Sequence, residues 1–408
     1  MASLADKLKS LGVKVGTADL PAPAKKPTLP IDDVLEGRWL ETRRGRAFVT
    51  ERIYPLEYHH GLAALFSAAP LHNLAHWAGD SRIHDLPIGK FAFLDTETSG
   101  LSGGTGTYAF LVGIGRFESE QFRLQQFFMR DPAEEPAMLE AIIDFLAPCE
   151  AMVTFNGKAF DAPLLRTRYA LHNIPIPFKD YVHVDLLPLA RRLWRDRLPS
   201  RALKYLEEHI MLAPRSIEEV PGFEIPWIYF DFLRSGDAAP LKGVFYHNAM
   251  DIVAMTALFD YCAAMLADPH AADLEHGLDV VALARLFEDL GKLDDAARLY
   301  ERGLEMGLPE TSFGEALRRY SALQRRRGDL DAAVELWERA AGEGHIYAHV
   351  ELSKHFEHRK RDIEEALRWA RSALELAQSP SLPEYVRKHW QEEVSHRIER
   401  LEKKIGRP

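Results

Sequence analysis

Between residues 91 and 154 the apolar positions fall into short runs separated by turn residues, which is typical of β-strands. The runs FAFLDTE, TYAFLVGIGRF and FRLQQFF follow one another, and a helical pattern from Pro136 to Leu146 precedes a fourth run, AMVTFNG. Three strands in succession, then a helix and a strand, predict an α/β sheet that begins as an antiparallel meander and is then covered by helices.

The first 88 residues differ from this pattern. Residues 1–35 contain a short amphipathic stretch and then PAPAKKPTLP, whose prolines favour extended backbone, so we expect a flexible tether. From Trp39 to Pro55, an arginine-rich turn lies between two runs of β-branched and aromatic residues and predicts a hairpin. We expect residues 36–88 to form an extension that packs on the sheet domain, residues 89–267.

After residue 161 the apolar positions follow a helical period. Three segments are predicted as helical: APLLRTRYALHN, VDLLPLARRLWRDRL and SRALKYLEEHI. EIPWIYFDFLRSGD is either a helix or a packed turn that ends in a glycine loop, and GVFYHNAMDIVAMTALFDYCAAML is predicted as one long helix. Within residues 274–404, three helical segments superimpose at intervals of 37 and 33 residues. They resemble tetratricopeptide repeats, which implies an all-α array of stacked helix pairs. The residues in register are Leu293, Leu330 and Ile363, and the small residues Ala296, Ala333 and Ala366.

Composition narrows the function classes. The net charge of −10 over 408 residues argues against coating of duplex nucleic acid, although a local basic patch could still hold a strand end. Two distant cysteines, Cys149 and Cys262, and the lack of a secretory h-region or an uncharged apolar run of membrane-spanning length favour a cytoplasmic protein without a membrane span.

Two carboxylates at the end of the first strand are the first candidates for chemistry. Asp95 and Glu97 are two residues apart, so both project from the same face of the strand. Their mutual repulsion favours a hard divalent cation between them. Asp161 follows another strand and could equally be a helix N-cap, while Asp251, four residues after His247 on the long helix, could equally form a helical hydrogen bond.

DTETSGL, FNGKAFDAPLL and HNAMD resemble the three exonuclease motifs of the DEDD superfamily, the DnaQ-like 3′–5′ exonucleases of the ribonuclease H-like fold. LDTETSGLSGGTGTYAFLVGIGRF, together with IPWIYFDFLRSGD, is similar to the bacterial YprB-like branch of that superfamily. The resemblance spans about residues 90–265 and implies an α/β, ribonuclease H-like mixed sheet flanked by helices, followed by the all-α repeat domain.

The resemblance also implies site residues. Asp95, Glu97, Asp161 and Asp251 would hold two Mg²⁺ or Mn²⁺ ions, and His247 would serve as general base. His247 lies four residues before Asp251, where one subclass has tyrosine, and Tyr246 lies five before, where the other has histidine. A separation of four residues is nearly a whole number of helical turns and favours His247, whereas a helix that began only after Asn248 would restore Tyr246 as a candidate.

The expected substrate contacts lie in the motifs and in a basic stretch. Trp194 and Tyr205 interleave with that stretch, which is either a solvated helical face or a phosphate track with stacking aromatics. The glycine-rich SGLSGGTGT is either a hairpin connection or a loop that approaches a nucleotide closely. The expected contacts are Thr96, Asn156, Arg195, Arg201, Lys204 and Tyr246.

We therefore expect a metal-dependent 3′–5′ exonuclease acting on single-stranded DNA or RNA ends, with the repeats available to a protein partner. The alternative is a non-catalytic nucleic-acid-binding or scaffold protein that acts through its repeats. A third hypothesis is that the protein cleaves nucleic acid strands internally. No motif distinguishes DNA from RNA, because that choice depends on contacts to the 2′-hydroxyl.

Overall fold

The structure is a computed structural model that describes residues 28–66, 68–100 and 106–406. Most of the expected tether, and residues 101–105 of the glycine-rich connection, lie outside the described residues. Among the described residues, seven strands form one sheet and two short strands form a separate pair. The strands are β1 (Gly37–Thr42), β2 (Gly45–Pro55), β3 (His59–His60), β4 (Ala63–Ala64), β5 (Phe91–Thr98), β6 (Ala109–Glu118), β7 (Gln121–Phe128), β8 (Ala151–Thr154) and β9 (Val182–Asp185).

The large sheet has the order β1-β2-β7-β6-β5-β8-β9. β5, β6 and β7 form the predicted antiparallel meander, whereas β8 and β9 run parallel to β5, so the sheet is mixed. The hairpin prediction is confirmed by the antiparallel pairing of β1 with β2. Since β2 in turn pairs with β7, the N-terminal extension continues the sheet in addition to packing on it.

One prediction of secondary structure is wrong. The segment from Val184 onward was expected to be helical, but Val182–Asp185 is strand β9 and the helix begins at Leu186. Val182, Val184 and Asp185 are all buried beside β8, and a four-residue buried strand has no period that separates it from the start of a helix.

The other segments predicted as helical between residues 136 and 267 form helices, whereas the amphipathic stretch at the start of the chain lies outside the described residues. The long helix forms as a single unit that begins at Leu241, before Tyr246. The helices are α1 (Ile31–Val34), α2 (His72–Ala78), α3 (Arg82–Asp85), α4 (Glu135–Leu146), α5 (Asp161–Leu171), α6 (Leu186–Trp194), α7 (Leu203–His209), α8 (Ile225–Ser235) and α9 (Leu241–Ala267), with single 3₁₀ turns at Ile88–Lys90, Pro132–Glu134 and Gly222–Glu224.

The two faces of the sheet bury alternate residues of each strand, as the pleat requires. On β5, Phe91 and Phe93 pack in the core that contains the second half of α9, whereas Ala92 and Leu94 pack in the core that contains α4, α5 and α8. Helix α9 is long and apolar enough to cross a membrane by length and composition, but 78% of its most apolar window is buried inside the protein. It is the central core helix.

The chain after residue 276 is all-helical. The three superimposed segments each begin a helix at the aligned residue, and their matching alanines are all fully buried, so the register is confirmed. The helices are α10 (Gly277–Asp289), α11 (Leu293–Glu305), α12 (Glu310–Arg327), α13 (Leu330–Gly342), α14 (Ile346–His355), α15 (Ile363–Ala377) and α16 (Glu384–Ile405), with a π-helical turn at Phe356–Lys360 between α14 and α15.

Candidate active site

The strand β5 places two carboxylates beside the long helix α9. Asp95 and Glu97 continue the face of β5 that packs on α9, and the pairing register shifts directly after Glu97, which ends the regular ladder at the site. Asp251 and His247 lie one turn apart on α9. Their closest atoms, His247 Nε2 and Asp251 Oδ2, are 3.4 Å apart, and the same nitrogen is 4.0 Å from Glu97 Oε1.

The fourth predicted carboxylate joins the cluster through a threonine. Asp161 is the first residue of α5, and the Thr96 hydroxyl donates a hydrogen bond to its Oδ1 at 2.5 Å. Phe160, not Asp161, is the N-cap residue of this helix. The side chain of Asp161 is 9% exposed and faces β5, where Thr96 stands between the two other acids of the strand.

The structure brings His247, and not Tyr246, to the carboxylates. Both residues lie within α9, which begins at Leu241. The Tyr246 hydroxyl accepts a hydrogen bond from the backbone N–H of Ser216 at 2.9 Å and so anchors the segment before α8. Because α9 is intact through this region, His247 and Asp251 lie on the same face of the helix, one turn apart.

Burial and like charge perturb the acids of the cluster strongly. Burial raises the pKa of Asp95 well above its ordinary range, and the neighbouring Asp251, Glu97 and Asp161 add to the rise. Burial raises the pKa of Glu97 to about 8, and burial also raises the pKa of Asp161, to about 6. Carboxylates held this close without enough positive charge resist ionisation.

His247 and Arg215 supply the positive charge that is present. Burial opposes the charged form of His247, but its hydrogen bonds with Asp251 and Glu219 raise its pKa to about 11. For Asp251, burial acts upward, yet the hydrogen bond with His247 and the guanidinium of Arg215 leave its pKa below the ordinary value. The cluster thus holds a protonated imidazole as a counter-charge.

Arg215 and Glu219 are site residues that the sequence analysis missed. Arg215 donates to Asp251 Oδ1, to Glu219 Oε1 at 3.0 Å and to Glu207 Oε2 at 2.6 Å, and its side chain is almost fully buried. Glu219 Oε1 also lies 3.0 Å from His247 Nδ1. The segment between α7 and α8 that contains both residues has no motif or periodicity, so no sequence signal pointed to it.

A chain of hydrogen-bonded side chains that the sequence analysis did not predict leads to Asp95. Asn248 Nδ2 donates to Asp95 Oδ2 at 2.9 Å, and Gln126 of β7 donates to Asn248 Oδ1 at 2.9 Å. Thr50 of β2 donates to Gln126 Oε1 at 3.1 Å, so the N-terminal hairpin reaches the site. Gly113, opposite Asp95 in the sheet, makes room, because a Cβ there would lie 2.2 Å from Asn248 Oδ1. The adjacency of Asn248 to His247 in HNAMD was the available signal.

Some of the residues predicted to contact substrate lie beside the carboxylates, and others make contacts elsewhere. Lys204 lies beside the site, with Nζ 3.4 Å from Glu219 Oε1. Asn156 adopts a left-handed conformation with φ 70° in the turn before Asp161, and its backbone N–H donates to Asp185. Arg195 pairs with Asp196, and Arg201 donates to the carbonyl of Leu198, so neither contact reaches the carboxylates.

Of the two aromatic residues interleaved with the basic stretch, Trp194 is buried in the core and is not available to stack on a base. Tyr205 is partly buried, and its ring stacks on that of His209 with centroids 3.8 Å apart. Two arginines of this stretch hold the helical region instead: Arg192 donates to the carbonyl of Arg285 at 2.8 Å, and Arg197 Nε donates to Asp279 at 2.8 Å. The closely spaced arginines of this stretch therefore include residues that join it to α10.

Comparison with known proteins identifies the family. The family model described as RNase_H superfamily matches residues 92–263, which include all four carboxylates. YprB of Bacillus subtilis (strain 168), described as an uncharacterized protein, is 32% identical over 368 residues, covering 88% of this chain and 86% of the relative. The chain belongs to the YprB family. The mixed sheet is therefore the expected ribonuclease H-like fold, and the superfamily supports a nuclease, a hydrolase acting on nucleic acid.

The superfamily implies divalent metal ions, and the residues fit them chemically. Within the ranges that the structure describes, no group of three or more His, Cys, Asp or Glu side chains forms a ready-made metal cage. The carboxylates are instead engaged by Asn248, Thr96 and Arg215. The donor set nevertheless consists of hard oxygen ligands, and its mutual repulsion is what a bound dication would relieve.

Proposed function

We propose that this protein is a metal-dependent 3′–5′ exonuclease of the DEDD, DnaQ-like type that acts on single-stranded nucleic acid. The observation that supports this most is the approach of four carboxylates from three separate chain segments: Glu97 and Asp251 lie near His247 Nε2, Asp161 accepts a hydrogen bond from Thr96 next to Asp95, and all three raise the pKa of Asp95. Each of these acids destabilises the others in isolation, which argues for a shared task and against the scaffold alternative.

The metal ligands in this proposal are the four carboxylates. Asp95, Glu97 and Asp251 would hold one Mg²⁺ or Mn²⁺, and a second ion would share Asp95, with Asp161 positioning it. When bound, such ions lower the pKa of a coordinated water and stabilise the charge that develops on a departing 3′ oxygen.

The chain's own residues orient and move protons. His247 can accept a proton at Nε2 only once the charges of Glu97 and Asp251 are compensated, because those charges and Glu219 keep it protonated. Glu219 fixes the imidazole through Nδ1, and Asn248 holds Asp95 Oδ2 in place. Lys204, whose Nζ is partly exposed beside Glu219, is placed to meet a phosphate.

The remaining parts have supporting roles. We propose that residues 89–267, with residues 36–88 as an extension of their sheet, form the catalytic domain. Residues 274–404 form a tetratricopeptide-like array that offers a protein partner a docking surface, as the register of α11, α13 and α15 supports.

A substrate panel tests the function. Single-stranded and duplex DNA and RNA, each with a free or blocked 3′ or 5′ end, and one circular single strand are incubated with Mn²⁺ or Mg²⁺. We expect stepwise shortening from free single-stranded 3′ ends and an intact circle. Asp95→Asn should be inactive, whereas Asp231→Asn, an exposed carboxylate on α8, should match the wild type. Cleavage of the circle would indicate an endonuclease, and full activity of Asp95→Asn would reject the assignment.

A further inference from the structure

Large aromatic side chains that face solvent are concentrated near the carboxylate cluster. Among the described residues, five Phe, Tyr or Trp side chains are exposed, and four of them lie on segments that adjoin the cluster. The fifth, Tyr385, lies on α16 at the far end of the chain. The five are Phe160 (57% exposed), Phe223 (71%), Trp227 (70%), Phe230 (40%) and Tyr385 (77%).

Phe223 and Trp227 are tied to the site by a close approach of backbone to His247. Gly222 starts the 3₁₀ turn before α8, and a Cβ at this position would lie 3.7 Å from His247 Cε1. Phe223 is the next residue of that turn, and Trp227 lies in the first turn of α8, four residues further on. Both residues therefore lie on the short segment that follows the close approach to His247.

Helix α8 is a firm support for these rings. Its opposite face buries Ile225, Tyr229 and Phe232, and the ring of Tyr229 stacks on Phe110 of β6 with centroids 3.9 Å apart. On a separate segment, Phe160 directly precedes Asp161. The exposed aromatic residues thus lie on two segments, one next to His247 and one next to Asp161.

We propose that Phe160, Phe223 and Trp227 form a stacking platform for the unpaired bases that lead to the strand end. This inference rests on the proposed function and names the feature by which the site holds single strands. Every base has a π-face, so such stacking is independent of sequence, and it is lost when the bases are paired in a duplex. Phosphates between the stacked bases would meet Lys158, exposed two residues before Phe160, and Lys204 beside Glu219.

A protein ligand is less well matched to this surface. Phe160 lies on a different segment from Phe223 and Trp227, and each segment adjoins the carboxylate cluster, so a strand whose end reaches the carboxylates would pass both segments. Trp194 of the basic stretch adds no stacking ring, because it is buried, and Arg197 is paired with Asp279.

Binding measured in a chelator separates stacking from hydrolysis. Fluorescein-labelled dT₁₂ and U₁₂, and an abasic strand of the same length, are titrated with the full chain in EDTA and followed by anisotropy. Trp227→Ala and Phe223→Ala should each weaken binding of the base-containing strands roughly 5-fold to 150-fold, the range of one base–aromatic stack. Trp227→Phe should restore most of the affinity, and Tyr385→Ala should bind like the wild type.

The abasic strand and the kinetics complete the test. The wild type should bind the abasic strand more weakly than Trp227→Ala binds dT₁₂, because the abasic strand loses every stack and the variant only one. In Mn²⁺, Trp227→Ala should raise KM more than it lowers kcat. Wild-type affinity of both alanine variants, or equal losses on the abasic strand, would overturn the platform while leaving exonuclease activity intact. A change confined to self-association in sedimentation would likewise overturn it in favour of a protein contact. A wild type that neither binds nor hydrolyses single strands would instead reject the proposed function.

Discussion

Glu219 Oε1 lies 3.0 Å from His247 Nδ1, while Nε2 of the same ring faces Asp251 and Glu97. A carboxylate on one ring nitrogen fixes the tautomer and the ring plane, so that the other nitrogen is the one available to a reacting group. Arg215 holds the same Glu219 oxygen at 3.0 Å, which prevents the carboxylate from turning away. We infer that Glu219 is a positioning residue that acts through His247.

Replacing Glu219 with Gln should lower kcat by about 10-fold to 100-fold, because outer partners of functional histidines typically contribute that much. The loss in kcat should exceed any rise in KM, because Glu219 contacts His247 directly and would reach the strand only through Lys204. Steady-state kinetics on a single-stranded oligonucleotide provide the measurement, and thermal unfolding checks that the fold persists. Glu218→Gln is the matched control, because its partly exposed carboxylate pairs with Lys242 instead. Equal kcat for the wild type and Glu219→Gln would contradict the role.

Asp95 is predicted to stabilise the fold only when metal is bound. In the metal-free protein its carboxylate is buried among three other acids, so Asp95→Asn should raise the melting temperature. Mn²⁺ should then stabilise the wild type by about 2.7 kcal/mol at 100 times its Kd and leave the variant unchanged. Differential scanning fluorimetry with and without Mn²⁺ measures both effects. An Asp95→Asn variant that responds to Mn²⁺ like the wild type would argue against Asp95 as a ligand.

The parts of the site that were predicted from sequence share one property. Asp95, Glu97, Asp161 and Asp251 lie at the ends of strongly patterned strands or on a long helix, where periodicity determines which way a side chain points. His247 was favoured over Tyr246 on the same basis, and the structure brings His247 to the acids.

The parts that were missed depend on contacts between segments far apart in the chain. Arg215 and Glu219 lie in an irregular segment, and their partners are 36 and 28 residues away. The basic stretch shows the same limit from the other side. Its positive charges are closely spaced in sequence and suggested a phosphate track, but Trp194 is buried and Arg192 contacts the helical region. Local composition does not reveal which of several possible surfaces a charge will face.

The hydrogen bond from Asn248 to Asp95 can be tested by substituting two glycines of β6. Gly113→Ala would place a Cβ 2.2 Å from Asn248 Oδ1, and Gly115→Ala would place one 2.2 Å from Phe122 Cζ. Both substitutions should cost roughly 1–3 kcal/mol of unfolding free energy, as overpacking does. Only Gly113→Ala should also reduce kcat per folded molecule, because it displaces the partner of Asp95. Urea unfolding and kinetics on the folded fraction separate the two effects, and equal kcat losses would show that the support is not specific.

The last helix is predicted to be held by a buried acid with a clear pH signature. Glu357, in the π-helical turn, has a fully buried side chain that accepts hydrogen bonds from Arg397, Arg400 and Lys404 of α16. Burial alone would raise the pKa of Glu357, but Lys404, Arg397, Arg400 and the adjacent His358 hold it below its ordinary value.

Since the folded-state pKa of Glu357 is lowered, its contribution is fully present above the unfolded-state value of about 4.3 and is lost as pH falls through the folded-state pKa. Glu357→Gln should therefore cost about 2 kcal/mol at pH 7, where charge-assisted hydrogen bonds are replaced by neutral ones. The difference from the wild type should shrink below a pH of about 4. Glu364→Gln, an exposed acid on α15, should show no such difference. Unfolding free energies across the pH range, with hydrogen exchange of α16, measure the effect, and a difference independent of pH would show that charge is not what Glu357 contributes.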